Sequence, residues 1–159
     1  MIRIIFIIIL LNFQTAAPQQ PLWSLYSTRI NKELVKLSAG FEKAVFEKAE
    51  GGREFYRILS SSGDNTGTLV LTSAQGRFDR FDLMIVTDVS RRIKLIRILK
   101  YRSEYGSEIT NSSWLTQFYC DPGQRFELHK NIDAISGATF SSRGLVEEVN
   151  DVMVKLAQN

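Results

Sequence analysis

The stretch Phe81-Asp-Leu-Met-Ile-Val-Thr87-Asp-Val-Ser-Arg-Arg-Ile93-Lys-Leu-Ile-Arg-Ile-Leu-Lys-Tyr101 decides the fold. Its two apolar halves, 81–87 and 93–101, have strand length and strand composition. The connection Asp88-Val-Ser-Arg91 between them is short, so the pair reads as a hairpin of adjacent antiparallel strands. In the second half Ile93, Leu95, Arg97, Leu99 and Tyr101 are expected on one face, with Ile96 and Ile98 on the other.

Upstream, 54–60 and 68–72 are further strand candidates, separated by the loop Ser61-Ser-Gly-Asp-Asn65, and Gly76 closes the second. Residues 41–49 fit a strand or a short helix, and periodicity does not choose; Gly51-Gly52 is a turn. Residues 23–37 have helical spacing, with Leu22, Tyr26, Ile30, Leu34 and Leu37 recurring at steps of three and four. Ser38-Ala-Gly40 supplies the stop.

Downstream, 103–113 is polar and turn-rich around Gly106, and Trp114, Leu115 and Phe118 mark a short amphipathic helix. Asp121-Pro-Gly123 is a turn, and 126–132 a short extended segment. A final helix is expected over 142–156, with Leu145, Val146, Val149, Val152, Met153 and Leu156 as its apolar stripe. Glu147 and Glu148 lie early and Lys155 late, the order the helix dipole favours.

Successive strands with a helix at each end predict an α+β domain: an antiparallel sheet flanked by N-terminal and C-terminal helices. There is no βαβ alternation and no G-x-G-x-x-G after a strand, which argues against a Rossmann dinucleotide site.

A chain of 159 residues suits one domain plus a short leader. Residues 1–17 read as a signal peptide: a basic start at Arg3, an apolar run over 4–11 and the small residues Thr15-Ala-Ala17. The run is about half the ~20 residues a bilayer span needs. Export to the periplasm or cell envelope is expected. An uncleaved, membrane-anchored form stays open because Pro18 directly after Ala17 disfavours cleavage. Net charge is +3 and the charges alternate in sign except around Arg91, Arg92, Lys94 and Arg97, which speaks against nucleic acid as the ligand. Cys120 is the only cysteine, so no internal disulfide forms, and it reads as a half-buried apolar side chain. His129 is also alone, and no metal site is expected.

The chemistry concentrates at Asp133-Ala-Ile-Ser-Gly-Ala-Thr139, just before the final helix. Ser136, Gly137 and Ala138 let the backbone approach a bulky group, and Gly137 can take positive φ. Thr139, Ser141 and Ser142 place three hydroxyls at the helix entrance, where unpaired N–H groups and the dipole favour a phosphate. Ser142 reads as the N-cap, and Arg143 as a counter-charge. Alone, such residues are ordinarily turn and capping chemistry.

The pattern D-x-x-[ST]-G-A-[ST], filled by Asp133, Ser136, Gly137, Ala138 and Thr139, resembles the attachment signal of bacterial FMN-binding domains. These are the domains of flavin subunits in sodium-pumping quinone reductases and Rnf complexes. The continuation Phe140-Ser-Ser-Arg-Gly-Leu-Val146 is similar to the family's too. Upstream, Tyr101-Arg-Ser-Glu-Tyr-Gly-Ser-Glu-Ile109 and Trp114-Leu-Thr-Gln-Phe118 resemble a second block, and Gly76-Arg-Phe78 with Phe81-Asp-Leu-Met84 a looser third. Cys120 and Asp121-Pro122 depart from the simpler Gly-containing turn of the pattern.

The resemblance implies an FMN-binding domain over 22–158, strongest over 65–155. It implies FMN joined through its phosphate to the Thr139 hydroxyl by a separate flavin transferase that uses FAD and Mg²⁺ and reads Asp133. It also implies that the loop 104–108 lies near the flavin. There Gly106 would allow close approach, Glu104 and Glu108 would bond backbone N–H groups or flavin edges, and Tyr105 would stack on the ring. Trp114 and Phe118 read as core residues of their short helix.

The expected function is an exported flavoprotein electron carrier with redox donor and acceptor proteins as partners and no catalytic residues of its own. Two alternatives stay open. One is a secreted α+β binding or scaffolding module whose S-G-A-T step only caps a helix. The other is a reductase that binds FMN without a covalent bond.

Overall fold

The computed structural model describes residues 20–37, 41–119 and 123–158. The signal peptide expected at 1–17, the helix stop at 38–40, and Cys120 with Asp121-Pro122 lie outside the described residues.

Five strands form one antiparallel sheet in chain order: β1 (Phe41–Glu50), β2 (Arg53–Ser60), β3 (Asn65–Gln75), β4 (Arg80–Asp88) and β5 (Ile93–Lys100). The decisive hairpin is β4–β5. Its turn is tied by the Asp88 carboxylate, which accepts from the backbone N–H groups of Ser90 (2.9 Å) and Arg92 (3.0 Å), while Arg91 takes φ 64°. Segment 41–49 resolves as a strand at the sheet edge. Exposed Glu42, Lys43, Glu47 and Glu50 make that edge a poor template for pairing.

Helix α1 (Leu22–Leu37) covers one face of the sheet. Helix α3 (Thr139–Ala157), with segments 101–119 and 123–138, covers the other. Because both faces are covered, Leu69, Val70, Leu71, Leu83, Met84 and Ile85 are all fully buried. The central strands therefore read as continuous apolar runs instead of alternating ones. Leu69, Leu71, Met84, Val86, Leu95 and Leu99 join Ile30 and Leu34 under α1. Val70, Leu83, Ile85, Ile96 and Ile98 join Leu145, Val149 and Val152 under α3.

Two irregularities in the β4–β5 register correct the expected faces. A shift between Val86 and Thr87 leaves Lys94 unpaired and turns Ile93 to the α3 side with Ile96 and Ile98. A second shift, between Asp82 and Leu83, leaves Leu99 unpaired. Tyr101 thereby joins the α3 side, its ring 5.6 Å from that of Phe81.

Contacts at both ends and the middle of α3 fix its position. A Cβ at Gly144 would fall 1.8 Å from the Gln75 carbonyl oxygen, so helix and strand touch backbone to backbone there. Glu148 accepts from Arg53 at 2.7 and 2.9 Å and from the Thr72 hydroxyl at 2.6 Å. Arg91 donates to the Leu156 carbonyl at 3.3 Å, which accounts for part of the basic cluster as helix-end chemistry. On the opposite face the Glu54 carboxylate accepts from the backbone N–H groups of Leu22 (2.5 Å) and Trp23 (3.2 Å) at the positive end of α1.

The connection from β5 to α3 holds a 3₁₀ turn (Ser107–Thr110), the single-turn helix α2 (Ser112–Leu115) and a second 3₁₀ turn (Thr116–Phe118). Asn111 caps α2 by accepting from Ser113 N–H at 2.8 Å. The extended segment expected at 126–132 bends at His129 (φ 65°), leaving a single bridge between Leu128 and Ile132. Among the described residues no helix is long and apolar enough to cross a membrane.

Candidate functional site

Two groups hold the backbone of Asp133. Trp114 Nε1 donates to its carbonyl at 2.9 Å, and its N–H donates to Gln117 Oε1 at 2.8 Å. Trp114 is half-buried and so is more than the core residue expected, whereas Phe118 is fully buried. The Asp133 side chain is exposed and, among the described residues, accepts no hydrogen bond.

Ile132 and Ala138 are buried on either side of the turn that follows. Ala138 N–H donates to Ile135 O at 3.1 Å, and Gly137 takes φ 82°. That φ is why glycine suits the position. A Cβ there would meet nothing within 4 Å, so the space beside the turn is open. Ser136 and Gly137 are exposed.

Helix α3 starts at Thr139, three residues ahead of the expected start at 142. The residue before it is Ala138, which offers no side-chain cap, so the N-cap expected at Ser142 is not there. Ser142 N–H donates to Ala138 O at 2.9 Å, which leaves the N–H groups of Thr139, Phe140 and Ser141 without intrahelical acceptors. Thr139 is exposed, and among the described residues its hydroxyl has no hydrogen-bond partner. A reachable hydroxyl thus sits beside unpaired donors at the positive end of a 19-residue helix.

The other two hydroxyls turn inward. Ser141 is 2 % exposed and Ser142 0 %. The Tyr101 hydroxyl lies 2.7 Å from the Tyr105 carbonyl and 2.7 Å from Ser141 Oγ. A carbonyl can only accept, so Tyr101 donates to Tyr105 and receives the Ser141 proton. Among the described residues Ser142 Oγ is buried without a partner. Of the three hydroxyls read at the helix entrance, only Thr139's faces outward.

The loop 104–108 packs directly on this helix start. Gly106 is buried at φ 84°. A Cβ there would lie 2.7 Å from the Tyr101 hydroxyl, 3.2 Å from Ser141 Oγ and 3.5 Å from Ala138 Cα. Tyr105 beside it is exposed, as are Glu104 and Glu108, whose carboxylates accept no hydrogen bond among the described residues.

A third segment converges here that sequence reasoning had not read as part of the site. A Cβ at Gly76 would lie 2.7 Å from Asp79 O and 3.4 Å from Ser141 Oγ. The adjacent Arg77 guanidinium lies 5.0 Å from the centre of the Phe78 ring and 5.6 Å from that of Phe140. Both rings are exposed, Phe78 by 66 % and Phe140 by 56 %. The available signal was a phenylalanine directly after the threonine, off the apolar stripe of α3.

On the α1 face Asp82, 3 % exposed, accepts from Arg102 (2.5 Å), Tyr26 (2.6 Å) and Ser73 (2.7 Å). Burial pushes the Asp82 carboxyl up, but these three hydrogen bonds and the Arg102 charge outweigh it and hold the carboxyl below its ordinary value. Tyr26 is pushed up by burial and by the Asp82 carboxylate it bonds.

A cavity of ≈ 780 Å³ on the α1 side is lined by Trp23, Phe46, Glu54, Tyr56 and Arg80 among others. Thr139 is itself exposed, and the cavity on the α1 side does not reach residues 133–139. Among the described residues no group of three His, Cys, Asp or Glu side chains is placed to hold a metal ion.

Residues 79–154 match the family model described as the FMN-binding domain. The match spans both the 104–108 loop and the 133–139 turn. No curated protein matches the chain.

Proposed function

The chain carries an FMN-binding domain, and from that premise we propose that it is an exported electron carrier with FMN esterified to Thr139. The observation that supports this is the exposed, unpartnered Thr139 hydroxyl among the unpaired N–H groups of the first turn of α3. A site that held FMN by contact alone would enclose most of it. The exposure of Ser136, Gly137 and Thr139 suits a group held by a bond.

In the attachment step the Thr139 oxygen attacks the FMN-side phosphorus of FAD. The Oγ–P bond forms, the pyrophosphate P–O bond breaks, AMP leaves, and the hydroxyl proton passes to a base of the transferase. The transferase and its Mg²⁺ supply that catalysis. The domain presents the acceptor: Trp114 and Gln117 hold Asp133 by its backbone, so its exposed carboxylate is a fixed feature for the transferase to read.

Once bound, the flavin supplies one- and two-electron transfer between a donor and an acceptor protein. The residues present fit such a group. The N–H groups of Thr139, Phe140 and Ser141 are available to the phosphate, and the open space at Gly137 admits it. Tyr105 offers an exposed ring beside the site.

The test is production with a flavin transferase, followed by denaturation, desalting and intact-mass measurement. The expected result is a yellow protein heavier by one FMN ester. Thr139→Ser keeps the adduct. Thr139→Ala loses colour and added mass with an unchanged far-ultraviolet circular dichroism spectrum, because its side chain bonds nothing among the described residues. Protein from its native host reports leader removal in the same mass. A colourless wild-type chain of unmodified mass would sink the proposal.

A further inference from the structure

We propose that Arg77, Phe78 and Phe140 form the bed of the isoalloxazine ring, with Arg77 as the charge that raises its reduction potential; this rests on the Thr139 ester. Phe140 follows the attachment residue directly, and its ring faces outward at 56 % exposure. Phe78 is more exposed still, at 66 %. Two exposed aromatic rings meeting at one cation expose apolar surface that nothing else in the described chain covers.

Arg77 strengthens the assignment. Among the described residues its guanidinium rests over the two rings, at 5.0 and 5.6 Å from their centres. A planar cation between aromatic faces suits a flat, electron-accepting ring. Reduction adds negative charge to that ring, and a guanidinium beside it favours the reduced form.

The backbone brings these groups to the tether. Gly76 closes to within contact of Ser141 on one side of the first turn of α3, and Gly106 does so with Tyr105 beside it. The ring thus has two aromatic neighbourhoods in reach. The Arg77 side offers two rings and a positive charge; the Tyr105 side offers one ring flanked by Glu104, whose negative charge disfavours reduction.

The experiment compares the flavin-loaded wild type with Arg77→Gln, Arg77→Lys, Phe140→Ala and Tyr105→Leu. Intact mass after denaturation reports attachment. Visible circular dichroism and flavin fluorescence anisotropy report how the ring is held, and a redox titration reports its potential. The expected result is full adduct mass in every variant. Phe140→Ala should at least halve the visible dichroism and lower the anisotropy. Arg77→Gln should shift the midpoint potential downward, with Arg77→Lys lying between it and the wild type.

Loaded Arg77→Gln and Phe140→Ala proteins with wild-type dichroism, anisotropy and potential would overturn the bed while leaving the ester intact. Loss of dichroism in Tyr105→Leu alone would overturn it in favour of the other side. A wild-type chain with no added mass overturns both the bed and the ester.

Discussion

At the head of α3 two helical steps of roughly 100° each separate the Thr139 hydroxyl from that of Ser141, and one more reaches Ser142. Among the described residues Thr139 faces out with nothing to bond, Ser141 spends its proton on Tyr101, and Ser142 is buried with no partner. Gly106 makes this arrangement possible by letting the 104–108 loop close on Ser141 and Ala138. Gly106 and Gly137 have nearly the same φ, 84° and 82°, but only Gly106 is crowded. Replacing either by alanine forces an L residue into the left-handed region, at roughly 1–2 kcal/mol. Gly106→Ala must also push its Cβ into the Tyr101 hydroxyl, and overpacking adds about 1–3 kcal/mol. Urea unfolding should therefore show Gly106→Ala clearly less stable than Gly137→Ala, the difference measuring the contact and not the backbone. Equal losses would mean that the loop simply moves aside.

At the scale of elements, the attachment turn is positioned by α2 and the 3₁₀ turn after it, through Trp114 and Gln117. Trp114→Phe keeps an aromatic ring against Phe118 but removes the donor to Asp133 O. It should cost about 1 kcal/mol in stability and slow flavin transfer, measured as the rate of adduct formation with limiting transferase. A wild-type rate would mean that Asp133 needs no such support. This bond also marks what sequence could and could not convey. The motif at 133–139 and the loop at 104–108 are local patterns, and both were legible, as was the β4–β5 hairpin from its paired apolar runs. The register shifts that turn Ile93 and Tyr101 to the α3 side were not, because a bulge leaves no mark in hydrophobic spacing. Strand β1 was undecided because its edge position fills it with Lys and Glu, whose spacing also suits a helix. The start of α3 was placed late because a run of hydroxyls looks like a cap, whereas the residue before the helix is an alanine. Arg77, Phe78 and Phe140 were legible only as parts of two separate resembling blocks and not as one cluster, because their meeting depends on the close approach at Gly76, a tertiary fact.

For the molecule as a whole, the central question is what joins the matched span, which begins at residue 79, to α1 and β1–β3 before it. Beyond strand pairing, much of the answer converges on Asp82. It is on β4 and collects Tyr26 from α1, Ser73 from β3 and Arg102 from the segment leading into the 104–108 loop. Tyr101 and Arg102 are adjacent, yet they anchor that segment from opposite faces of the sheet, one to Ser141 and the other to Asp82. The knot has a pH signature. Folding lowers the Asp82 carboxyl from its ordinary 3.8, the bonds from Arg102, Tyr26 and Ser73 outweighing the opposing effect of burial. Above the unfolded value both states are ionised and the folded state keeps the full benefit of those bonds. As pH falls through about 4 toward the lower folded value, the unfolded chain takes up the proton first, and the stabilisation is lost. Asp82→Asn removes the charge with little change of shape and should cost about 1.5–3 kcal/mol at pH 7, the worth of hydrogen bonds to a charged group. Urea unfolding at pH 7, 5 and 3 should show wild type and variant well separated at the first two and drawn together at the third. A gap that stayed constant down to pH 3 would mean that packing of the side chain, and not its ionisation, is what joins the two halves of the sheet.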